Sequence, residues 1–243
     1  MKIIIADDYT ALSKIAAEEL IAAIGNKREP LVCTASGDSP AGLYRELVEM
    51  VKNKKLDVRA WNFVGLDEWL GLNGGDEGSC RFHLDNQLFK PLQISPDKIG
   101  FVDGRAENAL KECELAEEYI QKLGGMDVAI VGLGMNGHIG MNEPGTSIHQ
   151  RTHVSQLDPL TVQVGQKYFQ KSQTLSGGLT LGVQTLMEAR HIMLLVNGRK
   201  KAEIVQQVLE GPITEMVPGS LFRNHPDFAV YLDKEAATLL RKS

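Results

Sequence analysis

Six short apolar runs, rich in β-branched residues, divide this chain, and helix-length segments separate most of them. The runs are Ile3–Ala6, Leu31–Ala35, Asn62–Leu66, Met126–Val131, Ile192–Val196 and Phe228–Leu232. Near-continuous apolar stretches of this length read as strands buried on both faces of a parallel sheet. Periodicity and capping residues predict helices over Thr10–Ile24 (with Thr10 as cap), Ala41–Lys52, Cys80–Phe89, Ala106–Leu123 and Pro159–Phe169. Further helices are expected up to Ala189, from Arg199 to Leu209, over Pro218–Asn224 and over Lys234–Leu240. Ile99–Val102 and His153–Leu157 read as short extra strands, and Ser176–Thr180 as the approach to a helix. Strands alternating with helices define a doubly wound, mainly parallel α/β sheet with helices on both faces, of Rossmann-like architecture. With 243 residues and no repeat, linker or low-complexity stretch, the chain reads as one domain over residues 1–243.

Composition narrows the partners. The formal charge of −5 and the lack of a basic stripe argue against nucleic acid. No apolar run approaches the roughly 18 residues a membrane helix needs, so no membrane is expected. Cys33, Cys80 and Cys113 are scattered without metal-ligand spacing, so no metal is expected. An odd cysteine count without a secretion signal places the chain in a reducing cytoplasm.

The most informative stretch follows Met126–Val131. Gly132-Leu133-Gly134-Met135-Asn136-Gly137 fits the dinucleotide pattern G-x-G-x-x-G. The residues after it, His138 to Pro144, do not open the amphipathic helix that a dinucleotide site requires. The loop instead carries an amide (Asn136), an imidazole (His138) and a carboxylate (Glu143) to the carboxyl end of a strand, where open α/β sheets bind ligands. Asp67 and Glu68 lie at another strand end, and neighbouring residues there point apart, so one of the two faces the pocket. Ser36, Gly37 and Ser39 precede a helix and read either as an anion cradle at its N-terminus or as an ordinary cap. Asp38 in that loop repels an anion unless it points away. Among Arg199, Lys200 and Lys201, a cation at a helix start is either held for an anion or simply solvated.

Four stretches then match a known family in order. They are Ser36-Gly37-Asp38-Ser39-Pro40, Gly65-Leu66-Asp67-Glu68-Trp69, Gly134-Met135-Asn136-Gly137-His138-Ile139-Gly140-Met141-Asn142-Glu143-Pro144, and Gly198-Arg199-Lys200-Lys201-Ala202. The chain resembles the hexosamine-6-phosphate deaminase/isomerase family. The related 6-phosphogluconolactonases lack the Asn-Glu-Pro of the third stretch. The resemblance implies a small-molecule sugar phosphate as substrate, no metal or organic cofactor, and ketose 6-phosphate and ammonia as products. It implies that Asp67 is the base for enolisation and that His138 assists ring opening with Asn136 and Glu143. Ser36, Gly37 and Ser39 with Lys167 and Lys201 would hold the phosphate, Lys167 standing where relatives carry arginine. Leu66-Asp67-Glu68-Trp69 and Gly78-Ser79-Cys80 also look like the galactosamine 6-phosphate branch. A 6-phosphogluconolactonase and a non-catalytic sugar-phosphate sensor are the lesser alternatives, and little chain after Leu232 favours a monomer or small homo-oligomer.

Overall fold

The computed structural model describes residues 1–241. In chain order the elements are β1 (Lys2–Ala6), α1 (Tyr9–Ile24), β2 (Leu31–Thr34), α2 (Asp38–Lys52), β3 (Asn62–Gly65), β4 (Asp67–Trp69), α3 (Cys80–Leu84), β5 (Ile99–Gly100) and α4 (Ala109–Lys122). They continue with β6 (Val128–Gly132), β7 (His153–Ser155), α5 (Pro159–Gly165), β8 (Gly178–Thr180), α6 (Val183–Met187), β9 (His191–Val196), α7 (Ala202–Glu210), α8 (Pro218–Leu221) and β10 (Phe228–Asp233). Seven strands form one parallel sheet in the order β1-β10-β9-β6-β2-β3-β5.

Alternation along each strand sorts side chains between two cores. Val32, Val128, Ile130, Met193, Leu195 and Tyr231 pack under α1, α2 and the Leu84–Phe89 segment. Cys33, Ala129, Val131, Leu194, Val196 and Val230 pack on the opposite face with α4, α6 and α7. Both faces are covered, as the near-continuous apolar runs require.

The order of strands makes the site. Neighbours β2 and β6 are paired at Val32↔Val128 and Cys33↔Ala129. From β2 the chain runs outward to β3, and from β6 it runs the other way to β9. The loops leaving these two strands therefore diverge and open a crevice at their carboxyl ends. No helix follows β6, which agrees with the rejection of a dinucleotide site.

Several sequence expectations are corrected. A second, antiparallel sheet in the order β4-β8-β7 covers one side of the crevice. Its three-residue strands, β8 beginning on a glycine, carry too little periodicity to be seen, and their pairing is set by distant parts of the chain. Asp8, not Thr10, caps α1, its carboxylate accepting the Ala11 N–H at 2.8 Å. Helix α4 starts at Ala109 on an Asn108 cap. The helix expected to reach Phe169 ends at Gly165, and Gln166–Tyr168 form a 3₁₀ turn. Cys80–Phe89 is helical, but its second half, Asp85–Phe89, widens to a π-helix. Arg199–Lys201 form a 3₁₀ turn before α7. Lys234–Leu240 forms turns rather than a helix, with its bonds running Ala237 to Asp233, Thr238 to Glu235 and Leu240 to Ala237.

Removing the Asp8 cap frees a donor at the start of α1. Asp8→Ala is expected to lower stability by about 1 kcal/mol. A urea midpoint equal to that of the unchanged chain would show that the cap contributes nothing.

Candidate active site

The loop after β6 is held from both sides. Within it, Gly134 donates to the His138 carbonyl at 2.9 Å and Gly137 donates to the Gly134 carbonyl at 3.2 Å. Gly137 has φ 88, a left-handed value that a side chain would strain. The imidazole of His138 lies directly on Gly134, and a β-carbon there would overlap the ring. Farther along, Asn142 is fully buried and donates to the carbonyls of Ile139 and Leu181, each at 2.9 Å. Met141 donates its N–H to Thr180 at 3.1 Å and accepts from the Ser155 hydroxyl at 2.6 Å. The small sheet thus fixes the loop that carries the imidazole.

His138, Glu143 and Asn136 meet in one cluster. His138 Nδ1 lies 3.4 Å from Glu143 Oε2 and 3.1 Å from the Thr161 hydroxyl. Asn136 donates its amide to Glu143 Oε2 at 2.8 Å, and its Oδ1 accepts the His138 N–H at 3.2 Å. Burial alone would raise the Glu143 carboxyl. The bonds from His138, Thr161 and Asn136, with the imidazole charge, outweigh burial and hold it below the usual range. A carboxylate fixed on Nδ1 orients the ring and leaves Nε2 as its other exchanging nitrogen.

Asp67 opens β4, opposite Thr180 of β8, and is 9% exposed. Burial pushes its carboxyl up to about 6, while the Cys80 thiol and the charge of His138 pull it back. Glu68 points elsewhere. Fully buried, it accepts the N–H groups of Trp69 at 2.9 Å, Cys80 at 2.9 Å and Arg81 at 3.0 Å. The two adjacent carboxylates therefore serve different ends, one beside the imidazole and one on the start of α3.

The stretch Ser36–Pro40 joins β2 to α2, with Gly37 at the cap position. Ser39 donates to Asn197 Oδ1 at 2.6 Å, tying this turn to the end of β9. Lys167 Nζ lies 2.6 Å from Asp38 Oδ2 and 4.8 Å from the centre of the Tyr168 ring. The Tyr168 hydroxyl lies over Gly37, 3.3 Å from where a β-carbon would stand. Asp38 is thus turned onto a cation instead of into the cradle. Lys201 donates to the Leu133 carbonyl. Burial, and then the charge of Lys167, push its ammonium down to about 8. The turns after β2, before β8 and after β9 meet here through the contacts of Ser39 with Asn197, of Asp38 with Lys167 and of Gly37 with Tyr168, and the charge of Lys167 is felt at Lys201. The hydroxyl of Ser39 is spent on Asn197.

A family model described as glucosamine-6-phosphate isomerases/6-phosphogluconolactonase matches residues 7–230. The chain belongs to this family. Family members similar to it include a glucosamine-6-phosphate deaminase of Clostridium botulinum (strain Kyoto / Type A2), 35% identical and covering 99% of both chains. Glucosamine-6-phosphate deaminase 1 of Bacillus subtilis (strain 168) is 36% identical over 98% of this chain and 99% of its own. Among solved structures of the family, a monomeric glucosamine-6-phosphate deaminase superposes with a TM-score of 0.95 at 36% identity, over 98% of this chain and 100% of that one. A 6-phosphogluconolactonase from Trypanosoma cruzi shares the fold at a TM-score of 0.81 and 23% identity, over 99% of this chain and 97% of that one.

Sequence reasoning missed several contacts of this site. Thr161 stands in an ordinary helical pattern, and nothing local marks it as a partner of His138. Asn197 and Tyr168 reach the cradle only through the fold. Gly134 was visible as part of a glycine motif, but its reason is the ring that lies on it. Gly134→Ala is expected to push the imidazole off Glu143 while costing about 1–3 kcal/mol of stability. The check is the set of His138 ring NMR resonances in a variant that still melts cooperatively. Unmoved ring resonances would show that the ring's placement does not depend on Gly134.

Proposed function

We propose that this chain isomerises and deaminates a hexosamine 6-phosphate, converting glucosamine 6-phosphate to fructose 6-phosphate and ammonia. The observation that carries this reading is a water-poor carboxylate, Asp67, beside an imidazole that a second carboxylate orients. An aldose–ketose shift needs two proton movements that these groups suit. His138 carries a proton from the anomeric hydroxyl to the ring oxygen and opens the ring. Asp67 removes the C2 proton, the electron pair forms the C1–C2 double bond, and the C1 oxygen is protonated. Asp67 returns its proton to C1, leaving an iminium at C2. Water adds there, the carbon–nitrogen bond breaks, and ammonia leaves. One water is consumed for each ammonia released, and no step calls for a metal or organic cofactor.

Asn136 and Glu143 act by orienting His138. Ser36, Gly37 and Ser39 form the anion end of the site with Lys167 and Lys201, Ser39 through its bond to Asn197. The whole chain acts as one sugar-phosphate domain, as a monomer or small homo-oligomer in the cytoplasm. A monomeric deaminase among the similar structures supports the first point, and three buried free cysteines support the second. No helix among the described residues is long and apolar enough to cross a membrane. Lactone hydrolysis breaks no carbon–hydrogen bond and does not need Asp67 as a carbon base.

The test is to incubate the protein with glucosamine 6-phosphate and, separately, galactosamine 6-phosphate, and to measure ammonia and ketose 6-phosphate. Release from neither would overturn the reading. Because the base must be ionised, kcat/KM is expected to fall as pH drops below about 6. Asp67→Asn is expected to lower kcat by about 10²–10⁴-fold with little change in KM. Near-normal ammonia release by this variant would remove Asp67 from its role.

Lys201→Ala removes a charge-assisted contact worth about 1.5–3 kcal/mol. KM for the phosphorylated sugar is then expected to rise roughly ten- to a hundredfold, and far less for the sugar without phosphate. In the unchanged chain KM is expected to climb above pH 8, as the half-buried ammonium loses its proton. An equal effect of the substitution on both sugars would assign Lys201 a structural role.

A further inference from the structure

The proposed mechanism asks His138 to take a proton and give it back, and it leaves Thr161 without a part. Of the seven residues of α5 only Thr161 and Gly165 are buried, one turn apart on the same face. Gly165 lies against Trp69 and Leu175, whose side chains stand 3.0 and 3.1 Å from where its β-carbon would be. Thr161, 6% exposed, lies against the imidazole. Helix α5 is therefore mounted at one point on Trp69, the last residue of the strand that Asp67 opens, and at the other on His138. A buried hydroxyl costs free energy unless it finds a partner, so packing alone would be served as well by an apolar side chain. Among the described residues the one hydrogen-bond partner of the Thr161 side chain is His138 Nδ1, at 3.1 Å.

Two oxygens face that nitrogen. Glu143 Oε2 is 3.4 Å away, beyond the usual span of about 2.7–3.2 Å for an N–H···O bond. The same oxygen already accepts the Asn136 amide at 2.8 Å. Thr161 Oγ1 is the closer of the two. A hydroxyl can donate or accept, and charge decides which it does here. Glu143 is held ionised by its neighbours. A bare lone pair on Nδ1 would be repelled by that carboxylate, whereas an N–H is attracted to it. The hydrogen therefore belongs on Nδ1, Thr161 accepts it, and Nε2 keeps the lone pair. A ring that takes a proton from the anomeric hydroxyl needs its lone pair there. With the hydrogen on Nε2 the ring would meet the sugar as a donor and could not act first as a base.

We propose that Thr161 is a positioning residue for His138: its hydroxyl accepts the Nδ1–H, fixing the plane and the tautomer of the ring so that Nε2 meets the sugar with a free lone pair. The role presupposes the reading of His138 as the group that opens the sugar ring.

The experiment reads the two ring-nitrogen NMR resonances of His138 in the full-length chain without substrate, at about pH 8.5, roughly two units above the ordinary imidazole value. His138→Gln identifies the pair by its loss. In the unchanged chain Nδ1 is expected to resonate as a protonated nitrogen and Nε2 as a bare one. Thr161→Val is expected to move both toward the averaged values of a mixed population. It is also expected to lower kcat for ammonia release roughly three- to tenfold, with KM changed by less than about twofold. Thr161→Ser keeps the hydroxyl and is expected to keep the resonance pattern and restore most of kcat. A bare Nδ1 in the unchanged chain overturns the proposal whatever the variants do. So does an unmoved pattern in Thr161→Val, even where turnover falls, because the loss is then one of packing. Thr161→Ala takes the place of the valine variant if that chain does not melt cooperatively. A mixed pattern in Thr161→Ser overturns the proposal as well. Absence of ammonia release by the unchanged chain defeats the reading of His138, whereas release together with an unmoved pattern in Thr161→Val defeats this inference alone.

Discussion

The candidate site of this protein is organised by the parting of two neighbouring strands. β2 and β6 are paired, but the chain leaves them in opposite directions along the sheet. A parallel sheet buried on both faces has no room for charge in its interior. The polar side chains of the candidate site stand at the carboxyl ends of its strands, where the loops from β2 and β6 diverge. The cradle after β2, the His138 loop after β6, the lysine turn after β9 and Asp67 after β3 are neighbours for that reason. The antiparallel β4-β8-β7 sheet then closes one side and holds both Asp67 and the buried Asn142.

Withdrawal from water acts differently on each charge according to its company. Asp67 has few donors, and burial wins, so its carboxyl rises to about 6. Glu143 is also buried, yet three hydrogen-bonding neighbours reverse the outcome and its carboxyl falls below the usual range. Lys201 loses water and faces a second cation, and both effects push it down to about 8. One acid is thus tuned toward exchanging protons near neutrality and another toward permanent charge. That division is what a proton-transfer site needs, with a base that can both take and return a proton and an anchor that does not change its state.

The sheet was legible because each central strand is a run of apolar residues with no competing pattern. The loop 132–145 was legible because its glycines and its three polar residues are adjacent in sequence. What escaped were features whose cause lies elsewhere in the chain. β8 is three residues beginning on a glycine, and it is a strand only because Glu68 and Val154 pair with Leu179 from either side. Lys234–Leu240 has helical composition, but Asp233 turns its carboxylate onto the N–H groups of Gly198 and Ala236, and the segment coils around that residue. Thr161 carries no motif, and it gains its place from His138, far away in sequence.

The two lysines of the cradle are satisfied in different ways. Lys167 pairs with the exposed Asp38, while Lys201 donates to a backbone carbonyl. In the proposed site an entering anion competes with an exposed carboxylate at the first and with a neutral dipole at the second. Exposed ion pairs contribute little, so displacing Asp38 costs little. Lys201 is half-buried and its one hydrogen-bond partner among the described residues is a backbone carbonyl, so it gains most from a charge brought into the same place. With the two lysines proposed as the anion end of the site, a preference for a dianion follows. A carboxylate on the ligand offers Lys167 nothing that Asp38 does not already supply, whereas a phosphate has enough charge and enough oxygens to satisfy both ammonium groups at once.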